Sequence, residues 1–213
     1  MADQQLFLDG VSIALNGRVL LAVSHRVEVG EVLTVMGPSG SGKSTLLAYI
    51  GGFLDPAFSA SGKVFSGNEE ITALPAEERH AGILFQDPLL FPHMSVGGNL
   101  LFAIPPSIKG KAPRSALVKE ALGGVGLAGT AARDPDTLSG GQKARVALAR
   151  VLLSAPRMLL LDEPFSKLDA GLRSQMRELV FAKARASRLP VVLVTHDEAD
   201  AHAAGGPVIR VGQ

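Results

Sequence analysis

None of the 213 residues is cysteine, which removes disulfides, thiolate nucleophiles, iron–sulfur clusters and thiolate zinc sites together and allows a reducing compartment. A dominant charge is missing too, since 21 Lys and Arg stand against 20 Asp and Glu for a net charge of +1. Without a whole-molecule field of one sign, a general nucleic-acid binder is disfavoured. Charged residues make up only 19% of the chain, below the roughly 25% usual in soluble domains. Much of the surface is therefore expected to be uncharged and to dock onto something. Long apolar runs are absent as well. Residues 158–161 and 191–194 are among the longest, far short of the ~18 residues that cross a bilayer. The opening MADQQLFLDG has neither the basic start nor the apolar stretch of a secretory signal. A soluble or peripheral protein is expected.

Short β-branched runs alternate with longer helical patterns, the order of an α/β domain with a mainly parallel sheet. The apolar runs at 32–36, 81–85, 158–161 and 191–194 read as strands covered on both faces, with a last strand over 207–211. Upstream, residues 6–15 and 18–29 alternate apolar and polar around Asn16-Gly17, a hairpin signal that predicts an antiparallel flank. Residues 59–62 read as a loop. From 87 to 137, prolines and glycines separate two helix-like stretches, 96–103 and 115–122. The reading is a single domain over 1–213 with a helical lobe inserted at about 87–137.

Gly37-Pro38-Ser39-Gly40-Ser41-Gly42-Lys43-Ser44-Thr45 fits G-x-x-x-x-G-K-[ST] between a strand and a helix, where a phosphate loop must lie. Glycines let successive N–H groups turn inward onto phosphate oxygens, and the helix N-terminus adds partial positive charge. Lys43 is expected to bridge the β- and γ-phosphates and Ser44 to join a Mg²⁺ shell. A metal-bound nucleotide also needs a carboxylate. Asp162 and Glu163 stand at the end of the apolar run 158–161. Successive strand residues point to opposite sides, so Asp162 can serve Mg²⁺ while Glu163 orients and deprotonates water. A capping acid would account for one carboxylate alone; the second acid, on a chain with a phosphate loop, favours the catalytic pair.

Leu138-Ser139-Gly140-Gly141-Gln142 opens a helical run at 143–153, with Ser139 placed to cap it. A small-residue loop at a helix start is a second anion-binding device, and two chains facing each other would use both. LSGGQ before LLLDEP and after a phosphate loop resembles the signature of the ATP-binding cassette (ABC) ATPases, and the resemblance runs over about residues 6–211. It implies a P-loop NTPase fold that binds ATP and Mg²⁺. Gln86 then matches the family's glutamine loop, whose amide reaches Mg²⁺ or the attacking water. Ser166-Lys167-Leu168-Asp169 matches the loop that crosses the dimer interface, with Lys167 where the family more often has Ala. His196 matches the histidine that contacts the γ-phosphate and helps hold Glu163 and water. Ser139, Gly140, Gly141 and Gln142 would bind the ATP held by the other chain. Histidines 25, 80, 93 and 202 are read as surface residues. One ring is missing: the family's adenine-stacking aromatic aligns with Leu15, and Phe7 is read as packing in the flanking sheet, so the base is expected to be held loosely.

The stretch 84–96, LFQDPLLFPHMSV, is similar to ATPase subunits of bacterial importers. That likeness implies an integral membrane permease whose coupling helix docks on the lobe. Phe91, Met94, Val96, Leu100 and Phe102 are candidates for the docking groove, with about half of them expected inside the lobe instead. It also implies an ATP-bound dimer with a second copy, a substrate-binding protein reached through the permease, and a place on the cytoplasmic face of the membrane. The end at Gln213 predicts no regulatory β domain. A soluble ABC-type ATPase acting on DNA or ribosomes is the other reading, but such proteins carry long coiled coils, zinc modules or paired cassettes, none of which is evident.

Overall fold

The structure is a computed structural model that describes residues 5–212. The chain divides into two compact units. The first comprises the described part of Met1–Ile83, Arg157–Glu163 and Phe181–Gln213. The second comprises Leu84–Pro156 and Pro164–Val180. It contains the helical segment expected at about 87–137 and extends beyond it.

In the first unit β1 (Leu6–Leu15) and β2 (Arg18–Val27) form the hairpin expected around Asn16-Gly17. Both turn residues have positive φ, 50° and 78°, the conformation that matches the twist of the flanking strands. Residues 59–62 are not a loop. They belong to β4 (Phe58–Ser66), which pairs with β1 and carries the short β5 (Glu69–Glu70) at its edge. Small residues of this kind have weak strand propensity, but pairing along β1 overrides it. The strand also passes a tight point: a side chain at Gly62 would strike the Gly10 carbonyl where β1 bulges.

The second sheet runs β6 (Ala81–Leu84), β7 (Met158–Asp162), β8 (Val191–Thr195), β3 (Val32–Met36), β9 (Val208–Arg210), with β7, β8, β3 and β9 in parallel register. All five residues of β3 and of β8 are buried, as strands covered on both faces require. Helix α1 (Lys43–Gly51) places Leu46 and Ile50 in one apolar cluster with Leu8 and Ile13 from β1, Val35 from β3 and Leu160 from β7.

Arg79 closes the far end of α1. Its side chain is 6% exposed. Nε donates to the Leu74 carbonyl at 2.8 Å, Nη1 to the Tyr49 and Ile50 carbonyls at 2.7 and 3.1 Å, and Nη2 to the Thr72 carbonyl at 2.5 Å. Burial lowers its pKa, yet an arginine stays protonated. The last carbonyls of a helix have no partner within it, and orphaning buried acceptors costs about 1 to 3 kcal/mol each. Arg79→Met is therefore expected to lower stability by about 3 kcal/mol, roughly 6 to 12 °C in Tm for a chain of this size. Arg79→Lys should recover less than half, because an ammonium cannot serve four carbonyls in a fork. A Tm within 2 °C of wild type for Arg79→Met would contradict this.

In the second unit α2 (Val96–Ala103), α3 (Lys111–Gly124) and α4 (Gly140–Leu153) pack around Val96, Leu100, Val118, Leu122, Val146 and Leu148. Helix α3 starts four residues ahead of the expected 115, because Pro113 lies in its first turn, where a missing N–H costs nothing. Ser95 caps α2 by accepting from Gly98 N at 3.1 Å. Buried Asn99 braces the segment before it, accepting from Phe91 N at 2.8 Å and donating to the Phe91, Met94 and Ser95 carbonyls. Helix α5 (Ala170–Ala186) begins in this unit, and α6 (Glu198–Ala204) belongs to the first.

Candidate functional site

The loop from Gly37 to Thr45 joins β3 to α1 in the first unit. Gly40 and Gly42 have φ of 80° and 85°, values that L side chains rarely adopt. A side chain at Gly37 would collide with the Val211 carbonyl. Within the loop Ser41 Oγ donates to the Pro38 carbonyl at 2.9 Å, while Pro38 and Ser39 are exposed. Helix α1 begins at Lys43 with no side-chain cap and no acid in its first turn. Its positive end thus retains the orphan N–H groups and partial charge that suit an anion. Lys43 is buried at 5% exposure with no carboxylate partner shown. Its Nζ donates to the Gly37 and Pro38 carbonyls at 2.9 and 2.8 Å, so the ammonium sits inside the loop's own curve.

Ser44 is exposed and donates from Oγ to Asp162 Oδ1 at 2.8 Å, bringing together two residues 118 positions apart. Burial raises the pKa of Asp162, the Ser44 hydrogen bond opposes the rise, the Glu163 charge adds to it and Lys43 opposes it. Among the described residues no group of three or more His, Asp or Glu could hold a metal. One hydroxyl and one carboxylate are nonetheless the usual protein share for Mg²⁺, whose remaining ligands are waters and phosphate oxygens. The donor set fits Mg²⁺ carried by a nucleotide.

Glu163 follows directly. Its backbone N–H donates to the Val194 carbonyl at 3.0 Å, and its φ is 45°, a conformation uncommon outside glycine and concentrated at functional sites. His196 Nδ1 lies 3.1 Å from Glu163 Oε1, with the histidine 59% and the glutamate 23% exposed. The turn carrying His196 is pinned from behind. Thr195 Oγ1 donates to buried Asp200 at 2.7 Å and accepts from Asp197 N at 3.0 Å, while Asp197 caps α6 through Ala199 N. The only sequence signal for this bracing by Thr195 and Asp200 is the acid five residues after the threonine. A hollow bounded by Gly37, Pro38 and His196 opens beside the loop.

Gln86 and residues 139–142 lie in the second unit. Gln86 is exposed, two residues past β6. Ser139 caps α4 as expected, and Gln142 reciprocates: Ser139 Oγ accepts from Gln142 N at 3.3 Å, and Gln142 Oε1 accepts from Ser139 N at 3.1 Å. The Gln142 amide oxygen is thereby engaged within its own chain. Gly140 is exposed with open space around it, whereas a side chain at buried Gly141 would press on Leu172.

Phe7 stacks on Phe65 with centroids 6.0 Å apart and lies under the Arg26 guanidinium at 4.7 Å, so both of its faces have partners in the flanking sheet. Leu15, half-buried, pairs with Arg18 and Phe58 across the strands. Histidines 80, 93 and 202 are exposed, while His25 is half-buried.

The family model described as ABC transporter matches residues 20–166. The chain is 50% identical over 196 residues to the ABC transporter ATP-binding protein YnjD of Escherichia coli strain K12, covering 92% of this chain and 90% of that one. It is 41% identical to the thiamine import ATP-binding protein ThiQ of a Chelativorans strain, over 91% of this chain and 78% of that one. It is 42% identical to the Fe(3+) ions import ATP-binding protein FbpC 1 of Haemophilus influenzae, over 86% of this chain but only 55% of that longer protein. No helix among the described residues is long and apolar enough to cross a membrane. With a Gly-rich strand-to-helix loop whose serine meets a strand-end carboxylate, and a family match over most of its length, the chain belongs to the ABC transporter family, as an ATP-binding, ATP-hydrolysing subunit.

Proposed function

We propose that two copies of this chain close head to tail on two ATP molecules, hydrolyse them and reopen, and so drive an importer permease from the cytoplasmic face of the membrane. The observation that carries the reading is the grouping of Lys43, the Ser44–Asp162 hydrogen bond and the Glu163–His196 contact in one unit. The import names of relatives such as ThiQ and FbpC 1 support the direction. A substrate-binding protein would meet the permease from the other side.

The loop N–H groups and Lys43 bind phosphate oxygens, with the ammonium exchanging two neutral carbonyl partners for negatively charged ones. Mg²⁺, held by Ser44 and Asp162, would supply positive charge to the phosphates when bound. Glu163 orients a water and accepts its proton, and His196, within reach of the Glu163 carboxylate, fixes that carboxylate's direction. Gln86 and Ser139 to Gln142 are assigned to the nucleotide by resemblance to the family.

Asp162 provides a direct check on this division of labour. A carboxyl whose folded pKa is raised destabilises the folded chain when ionised; the cost is present above the folded pKa and fades as pH falls toward the ordinary value. Asp162→Asn is expected to melt no lower than wild type at pH 7.5 without nucleotide, an advantage that shrinks toward pH 4. ATP binding by the variant should lose its dependence on Mg²⁺. A nucleotide-free melt several degrees below wild type, or unchanged Mg²⁺ dependence, would count against the assignment.

The permease contact is assigned to the second unit. Phe102 and Leu89 are 66% and 57% exposed, and Phe91 lies edge-on to Phe102 at 5.1 Å. The exposed Phe102 ring, packed on Phe91, supports a docking role for this face. Val96 and Leu100 are fully buried and serve the core of the unit instead. Affinity purification of the tagged chain from solubilised membranes of its own host should recover an integral membrane protein, and Phe102→Asp should lose it with the soluble ATPase rate within about twofold of wild type. Recovery of the chain alone, or unchanged recovery with Phe102→Asp, would contradict the reading.

A further inference from the structure

Lys167 forms an ion pair with Asp87, Nζ to Oδ1 at 2.5 Å, across 80 residues of sequence and inside the second unit. The two ends of the pair are held differently. On the lysine side, Phe165 is fully buried and Leu168 nearly so. Leu168 N closes a turn onto the Phe165 carbonyl at 3.1 Å, and Arg173 Nη2 reaches the Ser166 and Leu168 carbonyls at 3.4 and 3.0 Å. Lys167 thus projects from an anchored turn. On the aspartate side, the chain leaves β6 at Leu84 and runs exposed through Phe85, Gln86 and Asp87, with no turn, loop or cap hydrogen bond between backbone groups shown for these three residues. The next anchor is Arg150 from α4, which donates to the Leu89 and Pro88 carbonyls at 2.8 and 3.2 Å and stacks over the Phe91 ring at 5.6 Å. Leu89 is itself at φ 45°, a conformation that a branched side chain keeps only where its surroundings enforce it.

Gln86 therefore sits between the end of a strand and the side-chain pair formed by its neighbour. The pair's side chains are 51% and 58% exposed, and exposed pairs add at most about 1 kcal/mol to stability. That is too little to matter for the fold. It is enough to change the population of one loop position about fivefold, since 1.4 kcal/mol is a factor of ten.

We propose that the Lys167–Asp87 pair sets the position of Gln86, so that Lys167 and Asp87 are positioning residues for turnover. The proposal rests on the assignment of Gln86 to the nucleotide reaction and adds a positioning device to it. Removing the pair frees Gln86 to leave its working position, which lowers kcat without touching the phosphate contacts that set ATP affinity.

The test is a charge swap read in steady-state ATP hydrolysis, with Gln86→Ala measured alongside. Lys167→Asp and Asp87→Lys should each lower kcat about two- to fivefold with KM for ATP unchanged and Tm within 2 °C. The double swap should return kcat to within twofold of wild type. At saturating ATP, raising salt to 0.5 M should narrow the ratio of wild-type to Lys167→Ala kcat, because a half-exposed pair is screened. Single swaps without effect on kcat, or a double swap no better than its worse parent, would overturn the pair's role while Gln86→Ala is still impaired. If Gln86→Ala turns over like wild type, the assignment of Gln86 fails and the pair's role falls with it.

Discussion

Replacing Lys43 by alanine is expected to weaken ATP binding by at least ~100-fold, about 2.7 kcal/mol, while the Tm of the nucleotide-free chain changes by no more than a few degrees. The asymmetry follows from what the ammonium touches. Without nucleotide it donates only to the Gly37 and Pro38 carbonyls, neutral acceptors beside an exposed stretch of loop, which water can serve once the ammonium is gone. Against phosphate the same donors meet an acceptor of full negative charge in a loop whose helix end has no side-chain cap and no acid. Nothing else in the loop carries a full positive charge to replace it. Calorimetric titration with ATP measures the loss. Undiminished heat and affinity would show that the backbone N–H groups and the helix end suffice, and that Lys43 is a buried structural lysine.

The parts of the fold legible in the sequence are those where one physical rule decides. Strands β3 and β8 are apolar but for one threonine each, as burial of both faces requires, and the Asn16-Gly17 turn needs two positive φ values that few pairs of residues tolerate. The loop from Gly37 to Thr45 is equally plain, since its glycines fall where the backbone takes positive φ, at Gly40 and Gly42. Strand β4 was hidden because Ser59, Ala60, Ser61 and Gly62 have no strand signal of their own; their conformation comes from β1, some fifty residues away in sequence.

The site shows the same division. Ser44 meets Asp162, and the adjacent Lys43 turns back onto the carbonyls of its own loop. The contact of His196 with Glu163 follows from the parallel register that sets Asp162 beside Val194. Side-chain partnerships across long separations were not readable, among them Lys167 with Asp87 and Arg150 with the Pro88 and Leu89 carbonyls. In the sequence Lys167 is visible only as an unusual residue in its motif; its partner is fixed by packing.

Glu163→Gln carries the other large effect. The substitution keeps size and keeps an oxygen facing His196 Nδ1, so the turn at φ 45° and its neighbours are expected to stay in place. What is lost is the capacity to accept a proton from water, worth roughly 10² to 10⁴ in rate, or about 2.7 to 5.5 kcal/mol of barrier. Removing one negative charge from beside the triphosphate also eases the approach of a second chain. The variant should therefore bind ATP at least as well as wild type, turn it over 100-fold or more slowly, and accumulate as the proposed ATP-closed dimer. The most direct measurement is light scattering of Glu163→Gln in ATP and Mg²⁺, with turnover recorded on the same sample. A species of twice the chain's mass that forms only with nucleotide and hydrolyses it slowly is the predicted result. A monomer at every nucleotide concentration, or turnover close to wild type, would contradict the assignment of Glu163 as the base in an ATP-closed dimer.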